Sequence, residues 1–292
     1  MRCLLYLGCH IPTKQYAYEI SARKVLPALG VELMEFREAQ CCGLPIKQAS
    51  VEAWLYMASR ILALAGSRGL PLLTLCNGCN TSLREAAHVL KTRPEIKEKM
   101  KEALREEGIA LERMPKVRHT IEVLYDDVGV ERIKQAATRS LKGLKVAAYY
   151  GCHLVRPRHY PRPVDPENPV KMEEIIEALG GSTGDYPDKL GCCGAMVLSF
   201  SAETAVKIAA SKLKTISEMG FDLIVTSCPY CFEMLDSKQE VAKSISGEEF
   251  ESIPVMYLTQ LIGLCMGFKP EELGLYLNMS PVDEVLEKLG VS

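Results

Sequence analysis

The sequence lacks long apolar runs, and it lacks a marked excess of charge of either sign. Even its longer apolar stretches, such as residues 61–65, are far shorter than the roughly 20 apolar residues that a membrane-spanning helix needs. The apolar N-terminus, residues 1–7, is too short for a signal peptide and leads directly into a cysteine motif. The formal net charge is −2 at pH 7, and no basic run is interleaved with aromatic residues, so we predict no nucleic-acid partner. We expect a soluble, cytoplasmic protein without a membrane span.

The sequence also lacks the compact ferredoxin pattern, in which cysteines recur at every third position. It nevertheless contains twelve cysteines. In a reducing compartment, so many cysteines are more typical of metal or redox chemistry than of structural disulfides. If electrons pass through ordinary cubane clusters, another chain must carry those clusters.

Ten of the twelve cysteines form two ordered sets. Each set has a lone cysteine between glycine and histidine, then a Cys-Cys-Gly motif, then a Cys-x-x-Cys motif. The first set is Cys9, Cys41, Cys42, Cys76 and Cys79, and the second is Cys152, Cys192, Cys193, Cys228 and Cys231. Equivalent cysteines are 143 to 152 residues apart, mainly because eight extra residues lie between the lone cysteine and the Cys-Cys pair of the second set. Such an internal repeat predicts two copies of one domain.

Each cysteine motif follows a predicted buried strand and precedes a predicted helix. The predicted strands cover residues 3–8, 31–37, 70–75, 144–150, 184–187 and 222–227, with a further candidate at 254–258. Ser50 is predicted to cap a helix over residues 51–67. In open parallel α/β sheets, sites gather outside the carboxyl ends of the strands, so the three motifs of one copy can meet. We predict an α/β protein of two pseudo-twofold-related, Rossmann-like copies with parallel sheets and cysteine loops at the strand C-terminal ends.

The predicted domain limits follow from the repeat. The first copy is placed at residues 1–93 and the second at 144–269. Residues 94–143 are charge-rich and are expected to form a helical connection that glycine and proline residues interrupt. This connection is either part of the interface to another protein or a solvated helical face. Residues 270–292 are expected to form a C-terminal helical tail.

Three kinds of chemistry compete for two sets of five cysteines. A structural zinc site needs four ligands, which would leave one thiol over in each set. Disulfides are disfavoured by the expected compartment. Ordinary iron–sulfur clusters take four thiolates, so five thiolates, two of them adjacent, suit a centre with an unusual core or a bridging thiolate.

The order and spacing of these motifs resemble the CCG, or cysteine-rich, domain. Two copies in a chain of this length, with no fused ferredoxin domain, resemble the B subunit of the heterodisulfide reductase of methanogenic archaea. The resemblance covers nearly the whole chain and rests on ten cysteines. It implies that the first set and the second set each bind one noncubane [4Fe–4S] cluster and that the two clusters face each other. It further implies that the disulfide of coenzyme M and coenzyme B is reduced to two thiols between them.

The chemistry of disulfide reduction is compatible with two such metal centres. Reducing a disulfide takes two electrons, and a one-electron centre on either side could deliver one electron each and hold one sulfur on iron. A Lewis-acidic iron stabilises a leaving thiolate without prior protonation. A duplicated domain also suits a substrate whose two halves are joined by a sulfur–sulfur bond.

The resemblance also implies partners. Electrons would arrive from the C subunit of heterodisulfide reductase, which carries cubane iron–sulfur clusters. They would come ultimately from a flavin in the A subunit of an electron-bifurcating complex, with a hydrogenase or formate dehydrogenase as donor.

A second interpretation is an electron-transfer component of a CCG-containing dehydrogenase acting on lactate, glycolate, glycerol 3-phosphate or succinate, although the missing ferredoxin domain counts against several of these. A third is a zinc-stabilised assembly module without catalysis.

Histidines and cations near the motifs are further candidates. His10 and His153 each follow a lone cysteine, and each either donates a proton to a departing thiolate or makes a hydrogen bond to cluster sulfur or backbone. Both coenzymes are anionic, so their site should present cations. The candidate substrate-binding residues are Arg156, Arg158 and Arg162 in the extra loop, with Lys14 and Lys47 beside the first copy's motifs. An arginine-rich loop is also typical of a solvated surface. Cys3 and Cys265 lie outside the repeat and are expected to be buried.

Overall fold

Two parallel β-sheets, one from each half of the chain, organise the fold in the computed structural model, which describes residues 1–291. The strands are β1 (Arg2–Tyr6), β2 (Glu32–Glu35), β3 (Leu72–Thr74), β4 (Val117–His119), β5 (Val146–Tyr149), β6 (Leu223–Thr226) and β7 (Val255–Tyr257). The first sheet has the order β2-β1-β3-β4 and the second has the order β5-β6-β7. The strands β3 to β7 are buried along their whole length, as expected for parallel sheets covered by helices on both faces.

Helices connect and cover these strands. The α-helices are α1 (Ile11–Lys14), α2 (Tyr16–Ala28), α3 (Val51–Ser67), α4 (Asn77–Thr92), α5 (Pro94–Arg105), α6 (Thr120–Glu122), α7 (Val130–Ala136), α8 (Cys152–Val155), α9 (Lys171–Ala178), α10 (Ala202–Glu218), α11 (Pro229–Phe232), α12 (Gln239–Ser246), α13 (Leu258–Cys265) and α14 (Asp283–Lys288). The Oγ atom of Ser50 accepts a hydrogen bond from the Ala53 amide at 3.1 Å and so caps α3. Ser201 caps α10 in the same way, at the equivalent place in the second copy.

The two sheets repeat one arrangement. An isolated parallel bridge between Lys145 and Ser182 takes the place that the β1–β2 pairing has in the first sheet. The strand expected over residues 184–187 is therefore reduced to a bridge at Ser182. Glycines surround this segment and a proline closes it, and both residue types weaken strands.

The segment 94–143 differs from the helical connection that the sequence indicates. It contains α5, α6 and α7, but also β4, which pairs with β3 through Leu72 with Val117 and Thr74 with His119. The first sheet thus extends beyond residue 93. Three residues are too few to show a strand periodicity, and burial beside β3 stabilises them instead. The tail from residue 270 consists of two short 3₁₀ turns, Pro270–Leu273 and Leu275–Leu277, followed by α14.

The two copies share one hydrophobic core. Tyr18 in α2 stacks on Tyr257 with ring centroids 4.1 Å apart, and Tyr257 stacks on Phe232 at the same distance. The hydroxyl of Tyr18 also donates to the carbonyl of Ser227 at 3.1 Å. These buried contacts join the first copy to the carboxyl end of β6. Within residues 1–291, no helix is both long enough and apolar enough to cross a membrane.

Candidate metal centre

All ten repeat cysteines lie beyond the carboxyl ends of strands. Cys9 is the third residue after β1, and Cys152 is the third after β5. Cys76 and Cys228 are each the second residue after a strand and immediately precede α4 and α11. The Cys-Cys pairs lie in the loops after β2 and after the Ser182 bridge. Because the strands of each sheet are parallel, their carboxyl ends meet at one edge, and each set of five thiols gathers there.

The ten thiols lie next to one another in one continuous series. In order, the series is Cys9, Cys41, Cys42, Cys79, Cys76, Cys228, Cys231, Cys193, Cys192 and Cys152. The first five belong to one copy and the last five to the other. The contact between Cys76 and Cys228 joins the two sets, so the structure brings together every cysteine that the repeat predicts.

The first cysteine of each Cys-Cys pair is made more acidic by its neighbours. Contacts with Cys42 and Cys9 lower the pKa of Cys41, and contacts with Cys152 and Cys193 lower the pKa of Cys192. The amide of the glycine in each Cys-Cys-Gly motif also points at this sulfur, and in the second copy the distance from Gly194 N to Cys192 Sγ is 3.3 Å. The pKa of Cys228 is lowered as well, because its burial is outweighed by contacts with Cys231 and Cys76. Since the thiolate is the form that binds metals, these lowered pKa values favour metal binding.

Glycines allow the backbone to approach the sulfurs closely. A Cβ atom on Gly8 would lie 2.7 Å from Cys79 Sγ, and one on Gly151 would lie 2.8 Å from Cys231 Sγ. Both glycines also have positive φ angles, +69° and +68°. A side chain at either position would displace a sulfur, so the glycine before each lone cysteine is needed for the geometry of the thiol set.

The single tryptophan helps to hold the backbone of the first Cys-Cys pair. Trp54 Nε1 donates to Ser82 Oγ at 2.7 Å, and Ser82 Oγ donates to the carbonyl of Cys42, also at 2.7 Å. All three residues are buried. The indole thus fixes the backbone of a Cys-Cys pair through one intervening hydroxyl.

Two small, partly enclosed cavities lie at the thiol sets, each with a volume of about 20 Å³. Cys9, Cys42, Cys76 and Cys79 line the first cavity. Cys152, Cys192, Cys193, Cys228 and Cys231 line the second. Both cavities are also lined by Leu44, Gly78, Met196 and Tyr230. The two thiol sets therefore face each other across a common wall of four residues.

The wall is not symmetric. Gly78 and Tyr230 occupy the same position in the two Cys-x-x-Cys motifs, one residue before the last cysteine. The Tyr230 ring stacks on His10, with centroids 4.2 Å apart and ring planes 3° apart. His153, the counterpart of His10, lines the second cavity together with Gly78, which has no side chain. The first cavity is thus covered by an aromatic pair, and the second is not.

The two histidines have different surroundings. His10 Nε2 lies 2.7 Å from the carboxylate of Glu233, a residue that sequence reasoning missed. His153 Nδ1 lies 3.5 Å from Cys152 Sγ, and burial lowers the pKa of His153, which keeps the ring neutral. Thr81, the counterpart of Glu233, donates its hydroxyl to the His153 carbonyl instead. The only sequence signal for Glu233 is a carboxylate two residues after a Cys-x-x-Cys motif, where the first copy has threonine.

The candidate cations of the extra loop are not equivalent. Arg162 is partly buried, and it donates to the Leu154 carbonyl at 3.1 Å and to Thr81 Oγ1 at 2.7 Å. Arg158 forms an exposed ion pair with Glu167 at 2.6 Å. Arg156 is exposed, and its guanidinium lies 3.4 Å from a backbone carbonyl near the second Cys-Cys pair. Of the three, Arg162 is the one fixed beside His153.

The two lysines lie at different cavities. Lys47 pairs with Glu85 at 2.6 Å and lies over the Trp54 ring, 4.3 Å from its centroid. Lys14 is mostly exposed, and its Nζ lies 3.6 Å from Glu233 near the first cavity. The positive charges of Arg162 and Lys47 both act on His153. The second cavity thus has two cations nearby.

Cys3 and Cys265 are separate from the thiol series. Cys3 lies in β1 and Cys265 in α13, and both are fully buried. Burial raises the pKa of Cys3 to about 11 and that of Cys265 to about 12. Both behave as small apolar side chains, as predicted.

The donor set fits an iron–sulfur group. Each cavity is lined mainly by thiols and apolar side chains, and each set contains a cysteine with a lowered pKa. Within residues 1–291, no three His, Cys, Asp or Glu side chains are arranged around a single metal ion. The thiolates of a cluster bind different iron atoms and surround the cluster, so they need not converge on one point.

The family model of the cysteine-rich domain CCG matches residues 3–84 and 146–236. The chain belongs to the CCG family. The two matched segments coincide with the two cysteine sets and with strands of the two parallel sheets. The predicted family and the α/β fold with two CCG copies are confirmed.

Curated relatives of this CCG protein match it over nearly its whole length. A protein of Archaeoglobus profundus, named as like the B subunit of heterodisulfide reductase, is 39% identical, over 98% of this chain and 97% of that protein. The B subunit of the ferredoxin/F(420)H(2)-dependent CoB-CoM heterodisulfide reductase of Methanosarcina acetivorans is 37% identical, over 98% and 96%. The 8-methylmenaquinol:fumarate reductase membrane anchor subunit of Wolinella succinogenes is 32% identical, over 93% and 94%. The predicted similarity to the B subunit of heterodisulfide reductase is confirmed.

A solved structure has the same fold. The crystal structure of a hypothetical protein from Helicobacter pylori aligns with a TM-score of 0.75 and 16% identity, covering 95% of this CCG protein and 51% of that chain. At this identity the likeness concerns the fold alone.

Proposed function

We propose that this CCG protein reduces the heterodisulfide of coenzyme M and coenzyme B to the two thiols. The observation that carries the proposal is the common wall between two thiol-lined cavities, formed by Leu44, Gly78, Met196 and Tyr230. A disulfide at this wall would have one thiol set on either side of its sulfur–sulfur bond. The full-length similarity to proteins named for the B subunit of heterodisulfide reductase supports the same activity.

The proposed cofactors are two noncubane [4Fe–4S] clusters, one for each cavity. The first would be held by Cys9, Cys41, Cys42, Cys76 and Cys79, and the second by Cys152, Cys192, Cys193, Cys228 and Cys231. When bound, such clusters supply single electrons and an iron that stabilises a thiolate. The family match and the named relatives support iron–sulfur chemistry at these cysteines.

The protein's own side chains have distinct proposed roles in this reaction. His10 is the proposed proton donor to a departing thiolate, and the Glu233 carboxylate, 2.7 Å from His10 Nε2, is the group that orients its ring. His153 is buried and neutral beside Cys152, so its proposed role is to orient that sulfur through a hydrogen bond. Tyr230 excludes water from the first cavity by covering it together with His10.

Cations near the cavities are the proposed ligands for the anionic coenzymes. Arg162 Nη1 is buried and has no hydrogen-bond partner in residues 1–291, so it is available to an oxyanion. Lys47 lies on the same side, while Lys14 lies at the first cavity. Arg156 and Arg158 lie farther along the loop and would contact only the distal, charged part of a long substrate. The second cavity is therefore the proposed site of one half of the disulfide substrate, the half that carries phosphate and carboxylates.

The proposed partners are those implied by the resemblance to the B subunit of heterodisulfide reductase. The C subunit of heterodisulfide reductase would supply electrons from cubane iron–sulfur clusters, and the flavin-containing A subunit would supply the C subunit within an electron-bifurcating complex. A hydrogenase or formate dehydrogenase is the proposed donor. The proposed location of this CCG protein in the cell is the cytoplasm.

Metal analysis and turnover test the proposal directly. Protein purified without oxygen is expected to contain about eight iron and eight sulfide per chain. It should reduce the coenzyme disulfide with an artificial electron donor, and either thiol should change its EPR spectrum. Zinc without iron would refute the enzyme assignment. About half the iron together with zinc would mean that only one cavity holds a cluster.

A second candidate is an iron–sulfur electron-transfer component of a succinate- or fumarate-linked enzyme. The 32% identity to the Wolinella succinogenes protein, named for 8-methylmenaquinol:fumarate reductase, favours this candidate. The two candidates share the metal content and differ in the substrate. A cluster-loaded chain that exchanges electrons with a menaquinol analogue, and fails to reduce the coenzyme disulfide, would favour the second.

A further inference from the structure

Two tyrosines make the same hydrogen bond in the two copies. The Tyr6 hydroxyl donates to the Gln40 carbonyl at 2.6 Å, and the Tyr149 hydroxyl donates to the Gly191 carbonyl at 2.8 Å. Tyr6 and Tyr149 are 143 residues apart, like the lone cysteines that follow them. Gln40 and Gly191 each immediately precede a Cys-Cys pair. Because the acceptor is a backbone carbonyl, the contact persists although the acceptor residues differ.

This hydrogen bond joins two separate parts of each thiol set. Tyr6 is the last residue of β1 and Tyr149 the last of β5, so each lies three residues before the lone cysteine. The acceptor carbonyl lies in the loop that carries the Cys-Cys pair, 34 or 42 residues along the chain. The tyrosine therefore connects the strand that positions one ligand with the loop that positions two others.

Both tyrosine rings lie beside the glycine that precedes the lone cysteine. A Cβ atom on Gly8 would contact Tyr6 Cε1 at 3.9 Å, and one on Gly151 would contact Tyr149 Cε1 at 3.8 Å. Tyr6 is 1% exposed and Tyr149 is 0% exposed. Burial, together with the charges of the neighbouring cysteines, raises the pKa of both phenols well above the usual range, so both remain hydrogen-bond donors.

Other contacts to these loops differ between the copies. In the first, Arg60 Nη1 reaches the Gln40 side chain at 3.3 Å. In the second, Lys212 Nζ donates to the Asp188 carbonyl at 2.9 Å. The tyrosine contact is thus common to two loops that are otherwise held by different residues. This indicates that the hydrogen bond is needed for the arrangement of the thiols and not for the conformation of the rest of the loop.

We propose that Tyr6 and Tyr149 are positioning residues, each of which fixes the lone cysteine of its copy relative to the Cys-Cys pair. Each tyrosine acts within its own copy, because its donor and its acceptor both belong to that copy. The inference rests on the proposed metal centre, but it does not depend on which substrate is reduced there.

The test compares three Tyr→Phe variants that each remove one buried hydroxyl. Tyr6→Phe and Tyr149→Phe remove the proposed contacts. Tyr186→Phe is the control, because Tyr186 is also buried and donates to a backbone carbonyl, that of Ala148, at 3.0 Å. In protein purified with its metal, iron release to a chelator and the EPR spectrum are measured. Tyr6→Phe should release one half of the iron roughly five-fold faster, Tyr149→Phe the other half, and Tyr186→Phe neither.

A second measurement does not need iron. Cys41 and Cys192 are partly exposed, so their alkylation rates can be followed by mass spectrometry in the metal-free chain. Tyr6→Phe should raise the rate at Cys41 several-fold and leave Cys192 unchanged, and Tyr149→Phe should do the reverse. Equal rates in all variants would refute the positioning role. A wild-type protein without iron would refute the proposed function, and the alkylation result would still decide the role of the tyrosines.

Discussion

Cys76 and Cys228 lie next to each other although 152 residues separate them in the sequence. Each begins the Cys-x-x-Cys motif of its copy, and each immediately precedes a helix. Asn77, next to Cys76, donates to the Tyr150 carbonyl of the other copy at 2.7 Å. The centre of the thiol series therefore belongs to both copies, and the two proposed clusters would be neighbours.

Loss of a buried thiol in the second set should remove one cluster and leave the fold intact. Cys193 contacts both Cys192 and Cys231, so Cys193→Ser is expected to lower the iron content by about half and to abolish disulfide reduction. Cys265→Ala is the matched control, because Cys265 is equally buried but lies outside the series. A Cys193→Ser protein with wild-type turnover would contradict the assignment of the second set to catalysis.

Arg162 should hold the extra loop against the first copy. Arg162→Ala removes the donor to Thr81 Oγ1 and to the Leu154 carbonyl, so we expect a loss of about 2 kcal/mol in the free energy of unfolding. Proteolysis within residues 156–166 should become faster as well. Arg158→Ala breaks only an exposed ion pair and should change stability by less than about 1 kcal/mol. Equal effects of the two variants, in denaturant titration and limited proteolysis, would argue against this role.

The buried His119 should make the fold sensitive to acid. Burial lowers the pKa of His119 from 6.5 to about 3, so between these values the unfolded chain binds a proton that the folded chain does not. The free energy of unfolding should therefore fall as the pH is lowered from 6.5 towards 3, by up to about 1.4 kcal/mol per pH unit from this group. His119→Asn keeps an N-cap side chain for α6 and removes the titrating ring.

The comparison of wild type with His119→Asn isolates this contribution. Other acidic groups titrate in both proteins, so their effects cancel in the difference between the two unfolding free energies. Urea titrations at pH 7, 6 and 5 should show a smaller decline for the variant, whatever its stability at pH 7. Parallel declines would mean that His119 is protonated in the folded state.

Tyr230 should decide which thiol the first cavity accepts. The ring stacks on His10 at the first cavity, and Gly78 places no side chain at the equivalent position beside His153. Tyr230→Gly would make the surroundings of His10 and His153 alike, so the ratio of the affinities for the two coenzyme thiols should move towards one. Tyr230→Phe retains the stacked ring and should retain the wild-type ratio. Thiol titrations followed by EPR measure both ratios, and an unchanged ratio in Tyr230→Gly would exclude this role.

Local signals explain what the sequence predicted well. Ser50 and the apolar pattern after it predicted a helix over residues 51–67, and α3 has these bounds because the Ser50 cap forms as expected. The glycine, histidine and cysteine order of the two motif sets predicted which ten thiols meet. These features depend on residues that are close together in the chain or on the repeat itself.

Features that depend on contacts between distant parts of the chain could not be predicted. Glu233 becomes significant only because the fold places it 2.7 Å from His10, more than 200 residues away in the chain. The strand β4 was missed because its three residues are stabilised by β3 and not by their own pattern. The asymmetry between Gly78 and Tyr230 is visible in the sequence, but its meaning depends on the shared wall.

The position of Trp54 gives the molecule a built-in optical probe. Because the chain has one tryptophan, linked through Ser82 to the carbonyl of Cys42, its ultraviolet-excited fluorescence comes from one fixed place beside the first thiol set. A chromophore that absorbs in the near ultraviolet and is bound by the neighbouring thiols would quench this emission. The uptake of metal by the protein can therefore be followed in real time without any label.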